Sequence, residues 1–271
     1  MAAINGRYEV VWSEMKPQCT SLAVLPEASA DGHTLLAQNW DYLLGVQDGC
    51  ILLDVEEEGR PRILMHTEAG VIGQKGFNSE GLGIVVNALV SDQDHFEANP
   101  PFWIVCREML RCRRISEAMK VFLNASRSVS YNVLLAQAGG FAVDLEATPL
   151  DVSILTPREG LLAHTNHLIG SRALKVRDIF VRRYPDSVYR LYRVRTALEA
   201  EWGEITVQSV MEILRDHYGK PHSVCCHPDP EEPEDFRGAT LASIIMDLDE
   251  KRMHITRGPP CEAEYKEITM E

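Results

Sequence analysis

Short apolar runs dominate the first ninety residues of the chain, and their length and composition are typical of β-strands. They are rich in branched aliphatic and aromatic side chains, and turns that contain glycine or proline separate them. The predicted strands cover residues 7–12, 20–25, 34–38, 51–56, 62–66 and 82–90. The turns fall at residues 31–32, 48–49, 59–61 and 81.

The period of the apolar positions changes after residue 100. Spacings of i, i+3 and i+4 predict helices over 102–112 and 116–123, with Ser116 as the N-cap of the second. Gly139 and Gly140 predict a hairpin. Further strands are predicted at 132–137, 141–146, 153–156, 161–164, 240–248 and 253–256, and further helices over 171–202, with a break at Pro185, and over 206–218. Because strands and helices are segregated, the pattern predicts an α+β fold with two antiparallel sheets between helical layers, and it excludes a doubly wound sheet.

The composition adds a large core and an acidic surface. Of the 271 residues 45% are apolar, and 40 acidic against 27 basic residues give a net charge of −13. This charge disfavours nucleic acid and anionic membranes as partners, because both repel an acidic protein. No run approaches the roughly 18 apolar residues of a membrane helix, and the first residues lack a charged-then-apolar leader. We therefore expect a cytoplasmic protein without a nucleic-acid or membrane partner, and a homo-oligomer is compatible with this composition.

The seven cysteines favour reduced thiols, because their number is odd and no export signal is visible. Adjacent Cys225, Cys226 and His227 invite a metal site. However, the C-x₂₋₄-C and H-x₃₋₅-H spacings of zinc sites are missing, and neighbouring side chains of a strand point to opposite faces. A glycine-rich phosphate loop and a Gly-x-Ser-x-Gly motif are also missing. The sequence therefore predicts neither a metal site nor a cofactor.

Cys19 has the most distinctive setting of the seven. It begins a predicted strand, and a turn at Asp31 and Gly32 connects that strand to a second one that leads to Asp41. Such a hairpin returns the end of the second strand to the start of the first, so we expect Asp41 close to Cys19. A cysteine is more often a buried core residue than a nucleophile, although a thiolate beside an amine or a cation attacks acyl carbons well. Cys19 is therefore either a structural thiol or a nucleophile.

Four blocks of sequence resemble the acyl-CoA:6-aminopenicillanic acid acyltransferase family of N-terminal-nucleophile hydrolases. They are Cys-Thr-Ser at 19–21, Leu-Ala-Gln-Asn-Trp-Asp at 36–41, Gly-Phe-Asn-Ser-Glu-Gly-Leu-Gly at 76–83 and His-Thr-Asn-His at 164–167. Each block alone is weak, and their order along the chain makes the resemblance specific. Bile salt hydrolases and penicillin V acylases are more distant relatives. The resemblance implies a four-layer αββα sandwich.

The resemblance also implies a mechanism. Cys19 would become the first residue of the mature enzyme, and its new α-amino group would act as the base for its own thiol. Asp41 would accept hydrogen bonds from that amino group, and Asn166 would donate a side-chain N–H to the oxyanion of the tetrahedral intermediate. The expected reaction cleaves a linear amide through a Cys19 thioester, with a small N-acyl amide or an acyl-CoA as substrate.

Two more asparagines are expected on the substrate-binding side of the site. Asn87 interrupts a buried apolar run and needs a polar partner, which makes it a second candidate donor to the oxyanion. Asn39 belongs to the second family-like block. His164 and His167 flank Asn166 and leave a Cys–His dyad as an alternative, although neither is the base in the family that the chain resembles.

The sequence departs from the family pattern at three places. Gln18 precedes Cys19, where self-cleaving members usually have a glycine whose backbone freedom suits a strained scissile bond. Residues 1–18 form a propeptide-like segment that is short for the family, followed by a single domain at 19–271. Cys226 stands where relatives often carry an arginine. An unprocessed or inactive homologue that acts as a binding protein is therefore the alternative function.

Overall fold

Two antiparallel sheets form the centre of the computed structural model, which describes residues 2–11, 18–170 and 176–270. In spatial order, the six-stranded sheet contains β10 (Leu161–His164), β1 (Gln18–Val24), β2 (Leu35–Leu43), β11 (Gly238–Asp247), β12 (Arg252–Ile255) and β13 (Lys266–Thr269). The seven-stranded sheet follows chain order, with β3 (Cys50–Val55), β4 (Ile63–Glu68), β5 (Lys75–Asn78), β6 (Leu82–Ala88), β7 (Tyr131–Gln137), β8 (Phe141–Ala147) and β9 (Val152–Leu155).

Helices cover the outer face of each sheet. They are α1 (Ala2–Asn5), α2 (Arg7–Val11), α3 (Phe102–Leu110), α4 (Ile115–Asn124), α5 (Phe180–Arg183), α6 (Asp186–Ala200) and α7 (Val207–Leu214). Helices α3 and α4 pack on the seven-stranded sheet, whereas α6 and α7 pack on the six-stranded sheet. The layers therefore follow the order αββα, which confirms the predicted fold. Within the described ranges, no helix combines the length and the apolar character that crossing a bilayer requires.

Both faces of the central strands of each sheet are buried, which explains why these strands read as continuous apolar runs. In β6, Ile84 and Val86 face the helices while Val85 faces the other sheet. In β1, Leu22 faces the helices and Ala23 faces the other sheet. This alternation follows from the two-residue period of a strand.

The strand predicted at 7–12 is wrong: Arg7–Val11 is helix α2, and Trp12 lies outside the described residues. Tertiary contacts explain the difference. Tyr8 packs against Phe102, and Glu9 accepts a hydrogen bond from the Phe102 backbone N–H at 2.6 Å. Two consecutive side chains thus point to the same neighbour, which a strand does not allow.

Other boundaries also differ from the sequence pattern. Helix α4 begins at Ile115, so Ser116 is not its N-cap; the Glu117 carboxylate instead accepts the Arg114 backbone N–H at 3.3 Å. The pattern does not predict β5 or β13. Phe77 is the single large apolar residue in β5, and β13 is a mostly exposed edge strand. Of the helical region predicted at 171–202, residues 171–175 lie outside the described part of the chain.

The hairpin predicted from the turn at Asp31 and Gly32 is present, and it positions the site. Strands β1 and β2 pair so that Cys19 lies opposite Trp40 and Gln18 lies opposite Asp41. On the other side, β1 pairs with β10, with Ser21 opposite His164. The start of β1 therefore meets both the end of β2 and the chain that follows β10.

Candidate active site

Cys19 lies at the base of a narrow cavity whose walls come from both sheets. Its side chain is 2% exposed. Trp40 and Tyr42 of β2 form one wall, Asn87 of β6 forms another, and Tyr8 from the segment before Cys19 closes part of the space. The cavity is therefore mostly apolar and brings Cys19 and Asn87 together.

The backbone of Cys19 is held by two buried side chains. Its peptide nitrogen donates to Asn166 Oδ1 at 2.7 Å, and its carbonyl oxygen accepts from Arg190 Nη1 at 2.8 Å. Asn166 Nδ2 donates to the Ala88 carbonyl at 3.0 Å. These partners define the orientation of the Asn166 side-chain amide. Its oxygen faces the N–H donors of Cys19 and Arg190, and its nitrogen faces the Ala88 carbonyl. In this chain, Asn166 therefore holds the nitrogen of Cys19.

Arg190, which the sequence analysis did not identify, is a fully buried cation of helix α6. Besides Cys19 it donates to Asp186 Oδ2 at 3.0 Å, Thr20 Oγ1 at 3.0 Å and Asn166 Oδ1 at 2.9 Å. The four-residue spacing of Asp186 and Arg190 is a helical ion-pair signal. That spacing does not show which arginine of the helix faces inward.

Asp41 provides a buried carboxyl group beside Cys19. Its Oδ1 accepts from the Thr240 hydroxyl at 2.6 Å, while Oδ2 is buried and has no hydrogen-bond partner among the described residues. Burial raises the pKa of Asp41 to about 8, against the opposing effects of the Thr240 hydrogen bond and the Arg190 charge. An unpaired acceptor of this kind has room for a further N–H donor.

The Cys19 thiol is held in its neutral form while the chain is intact. Burial, followed by the charge of Asp41, raises its pKa to about 12, although Lys75 and Arg190 act in the opposite direction. Since only the thiolate is a good nucleophile, Cys19 needs a local base to become reactive.

Lys75 is a second buried cation that the sequence analysis missed. Its Nζ donates to Gln74 Oε1 at 2.6 Å and lies 3.7 Å from the centre of the Trp40 ring. Burial lowers its pKa to about 8, while the charges of Glu68 and Cys19 oppose the shift. The only sequence signal is its position directly before the third family-like block.

Asn87 points a side-chain amide toward the cavity. Its Oδ1 accepts from the Ser21 hydroxyl at 2.7 Å, whereas its Nδ2 has one long contact, to the His164 carbonyl at 3.5 Å. A contact of this length is at the limit of a hydrogen bond. Both N–H groups of Asn87 therefore lack a short acceptor among the described residues, whereas one of the two N–H groups of Asn166 donates to Ala88.

The structure does not bring Asn39 to the cavity. Its Nδ2 donates to the carbonyls of Leu214 and Val224, both at 2.8 Å, at the end of α7 and in the segment beyond it. Neighbouring Trp40 faces the cavity, and successive strand side chains point to opposite faces. Asn39 therefore connects the sheet to its helical layer, and its contacts give no support to a substrate-binding role.

The two histidines have structural partners. His164 is fully buried, with Nδ1 at 2.8 Å from the Thr165 carbonyl and Nε2 at 2.8 Å from the Glu146 carboxylate. Burial opposes its charge, but the neighbouring carboxylates raise the pKa of His164 overall. With an acceptor at each nitrogen, the ring has no lone pair for the Cys19 proton. The His167 ring contacts the Ser187 hydroxyl at 2.8 Å. The geometry gives no support to a Cys–His dyad.

Gln18, on the N-terminal side of the proposed scissile bond, is 5% exposed. Its Oε1 accepts from the Cys226 thiol at 3.3 Å, and its Nε2 lies 3.5 Å from His222 Nδ1. Burial raises the pKa of Cys226 well above its usual value, so its thiol stays neutral. The nearest buried cation to Cys19 on the helical side is instead Arg190, which comes from α6.

Comparisons with known proteins agree with this architecture. The family model for acyl-coenzyme A:6-aminopenicillanic acid acyl-transferase matches residues 28–261, a range that begins after Cys19. A relative from Emericella nidulans, the acyl-coenzyme A:6-aminopenicillanic-acid-acyltransferase 40 kDa form, is 26% identical over 265 residues, which are 95% of this chain and 70% of the relative.

Solved structures share the fold at low sequence identity. A variant of conjugated bile acid hydrolase from Clostridium perfringens superposes with a TM-score of 0.66 at 14% identity, over 93% of this chain and 92% of that one. Penicillin V acylase from Agrobacterium tumefaciens gives a TM-score of 0.56 at 14% identity, over 93% and 86%. A Caenorhabditis elegans ortholog of N-acylethanolamine-hydrolyzing acid amidase gives 0.59 at 14%, over 85% and 93%. With a family model that matches most of its length, the chain belongs to the acyl-coenzyme A:6-aminopenicillanic acid acyl-transferase family.

Proposed function

We propose that the protein is a cysteine amidohydrolase or acyltransferase that cleaves a linear amide through a Cys19 thioester, after self-cleavage has made Cys19 the N-terminal residue. One observation carries this proposal. The nitrogen of Cys19 already donates to Asn166 Oδ1, and the Oδ2 of Asp41, which has no partner among the described residues, lies in the same buried region. A free α-amino group at this nitrogen would meet acceptors suited to its N–H groups.

Processing would begin with the Cys19 thiol itself. Its sulfur attacks the carbonyl carbon of Gln18, the C–N bond to Cys19 breaks, and the nitrogen takes up the thiol proton. Water then hydrolyses the resulting thioester, which releases the segment before Cys19 and restores the thiol. The Arg190 hydrogen bond to the Cys19 carbonyl holds the strand in place during these steps.

Turnover would use the same groups in a bimolecular reaction. The neutral α-amino group takes the proton of its own thiol, and the thiolate attacks the acyl carbon of the substrate. Asn87 donates its side-chain N–H to the developing oxyanion, and the protonated amine returns the proton to the leaving group, which is the nitrogen of an amide or the sulfur of an acyl-CoA. Water or an acceptor amine then resolves the thioester. This assignment gives the oxyanion to Asn87, while Asn166 and Asp41 orient the amine.

The cavity favours a substrate with an apolar acyl group. Trp40, Tyr42 and Phe102 contribute aromatic surface next to Cys19. Apolar walls with a few convergent polar groups are typical of small-molecule sites. An N-acyl amide or an acyl-CoA would place its acyl chain against these rings and its carbonyl between Cys19 and Asn87.

The alternative is an unprocessed homologue that binds a ligand without turning it over. Gln18 at the scissile position and the position of Tyr8 in the cavity wall favour it. Steady-state hydrolysis of a chromogenic N-acyl anilide separates the two functions. We expect Cys19→Ala to abolish turnover and Cys106→Ala, which removes another fully buried thiol, to retain most of it. An acid quench during turnover should leave an acyl mass on the Cys19 peptide. Full activity in Cys19→Ala would refute the proposed function.

A further inference from the structure

Four metal-ligating side chains converge outside the active site. His217 and Cys225 lie in the segment after α7, His227 follows two residues later, and Cys261 comes from the chain between β12 and β13. Their ligand atoms all lie within 4.8 Å of one another. The cluster thus joins two segments that are more than thirty residues apart in sequence.

Ordinary hydrogen bonds do not account for this convergence. His227 Nε2 lies 3.1 Å from His217 Nε2, 3.5 Å from Cys225 Sγ and 3.4 Å from Cys261 Sγ. A ring nitrogen offers one hydrogen or one lone pair, so it serves one such neighbour well and not three. The two sulfurs are 3.5 Å apart, far beyond the roughly 2.05 Å of a disulfide bond.

A tetrahedral ion at the centre would satisfy all four groups. Zinc–sulfur bonds of about 2.3 Å and zinc–nitrogen bonds of about 2.0–2.1 Å imply ligand separations of roughly 3.3 Å for N–N, 3.6 Å for N–S and 3.8 Å for S–S. His227 Nε2 lies 3.1 Å from the His217 nitrogen and 3.4–3.5 Å from the two sulfurs, and the sulfurs are 3.5 Å apart. The separations between His217 and the two sulfurs lie within 4.8 Å. We propose that His217, Cys225, His227 and Cys261 form a Cys₂His₂ site for Zn²⁺.

The surroundings agree with a structural zinc site. Cys225 and His227 are buried, whereas His217 and Cys261 are exposed, so an ion has a route from solvent. His227 Nδ1 lies 3.4 Å from the Glu262 carboxylate. Metal-ligating histidines commonly use their second nitrogen in this way. Four protein ligands also leave no open position, which distinguishes a structural ion from a catalytic one.

The expectation of no metal site was based on the adjacent residues Cys225, Cys226 and His227. In the structure their side chains point in two directions. Cys225 and His227 are two residues apart and point together, while Cys226 points toward Gln18. The remaining ligands, one before and one far beyond the run, complete a set that no short spacing motif describes.

An ion here would stabilise the segment that borders the site. Between the ligands His217 and Cys225 lies Val224, whose carbonyl accepts from Asn39 of β2. Cys226 contacts Gln18 at the proposed cleavage point. Connecting this segment to Cys261 would limit its movement relative to β2.

Metal analysis of the purified full-length chain tests the proposal. Inductively coupled plasma mass spectrometry should find about one zinc per chain in the wild type. The exposed ligands are the ones to change, because the fold depends least on them: His217→Gln and Cys261→Ser should each reduce zinc at least tenfold. The matched controls His95→Gln and Cys112→Ser should retain it. Far-UV circular dichroism checks that every variant is folded.

Stability provides a second readout that is independent of activity. A chelator should lower the melting temperature of the wild type and the controls, and added Zn²⁺ should restore it, because a ligand that binds the native state stabilises that state. The double variant His217→Gln/Cys261→Ser should respond to neither. Co²⁺ added to the stripped wild type should give a thiolate-to-metal absorption band that the double variant lacks. Zinc-free wild type with no thermal response to Zn²⁺, equal zinc in wild type and double variant, or a Cys225–Cys261 disulfide detected by mass would each overturn the proposal.

Discussion

Replacing Arg190 by methionine should destabilise the protein far more than the same change at Arg193 on the same helix. Arg190 is fully buried and bonds to Asp186, to the Cys19 carbonyl and to Asn166. The side chain of Arg193 is 45% exposed and pairs with a carboxylate at the surface. The two substitutions remove the same side chain from opposite environments.

The magnitude follows from what each change leaves behind. Arg190→Met leaves the Asp186 side chain, which is 8% exposed, without its cation. Removing one partner of a buried pair costs about 3–5 kcal/mol, whereas a surface pair contributes about 0–1 kcal/mol. We therefore expect the free energy of unfolding to fall by roughly 3 kcal/mol more for Arg190→Met than for Arg193→Met. Adding Asp186→Asn to Arg190→Met should recover part of the loss, since the uncompensated charge disappears.

Urea denaturation in a Cys19→Ala background provides the measurement, because self-cleavage cannot then mix two species. The slope of the transition should be similar in all variants, so that the midpoints report stability. A loss for Arg190→Met no larger than that for Arg193→Met would refute the buried network. In the Cys19-containing protein, Arg190→Lys should restore stability better than it restores kcat, because a lysine lacks the planar fork that positions Cys19 and Asn166 together.

Three further predictions concern the site. Asn87→Ala should lower kcat by roughly 10²–10³-fold with little change in KM. Asn39→Ala should lower the melting temperature and leave kcat near normal. A low kcat for Asn39→Ala together with a normal kcat for Asn87→Ala would exchange their roles. Asp41→Asn should stabilise the intact chain more at pH 8 than at pH 5. The pKa of Asp41 is raised to about 8 on folding, so the native state retains a proton that the unfolded chain loses and stability falls as pH rises through this range; urea midpoints with equal pH dependence would contradict this. Gln18→Gly should accelerate the appearance of a Cys19 N-terminus in a time course of intact mass, because glycine relaxes the backbone at the scissile bond, and an unchanged or slower rate would show that this backbone does not limit cleavage.

Strand and helix order could be predicted from the sequence because the central strands of each sheet are buried on both faces. That burial gives β1, β2 and β6 apolar runs, although β2 continues beyond the predicted end at Gln38 through polar residues to Leu43. The same logic fails for α2, whose helical form depends on contacts to Phe102 at the start of α3. It also fails for β5, which is too short and polar to stand out and is a strand because β4 and β6 pair with it.

Part of the candidate site could likewise be predicted from the sequence, and part could not. Cys19, Asp41 and Asn87 could be placed together because a hairpin and a polar interruption in a strand are local signals. The roles proposed for Asn87 and Asn166 could not be predicted from the sequence. The direction in which a side-chain amide points depends on partners such as the Ala88 carbonyl and Arg190. Those partners come from elements far away in sequence.

The most direct test of the central claim is the N-terminus of the active enzyme. Intact mass and N-terminal sequencing of purified, catalytically active protein should show that the bond between Gln18 and Cys19 is cut, with Cys19 as the first residue. The Cys19→Ala protein should remain uncut and inactive. Active protein in which the bond between Gln18 and Cys19 is fully intact would contradict the account, because the α-amino group that activates the thiol would then not exist.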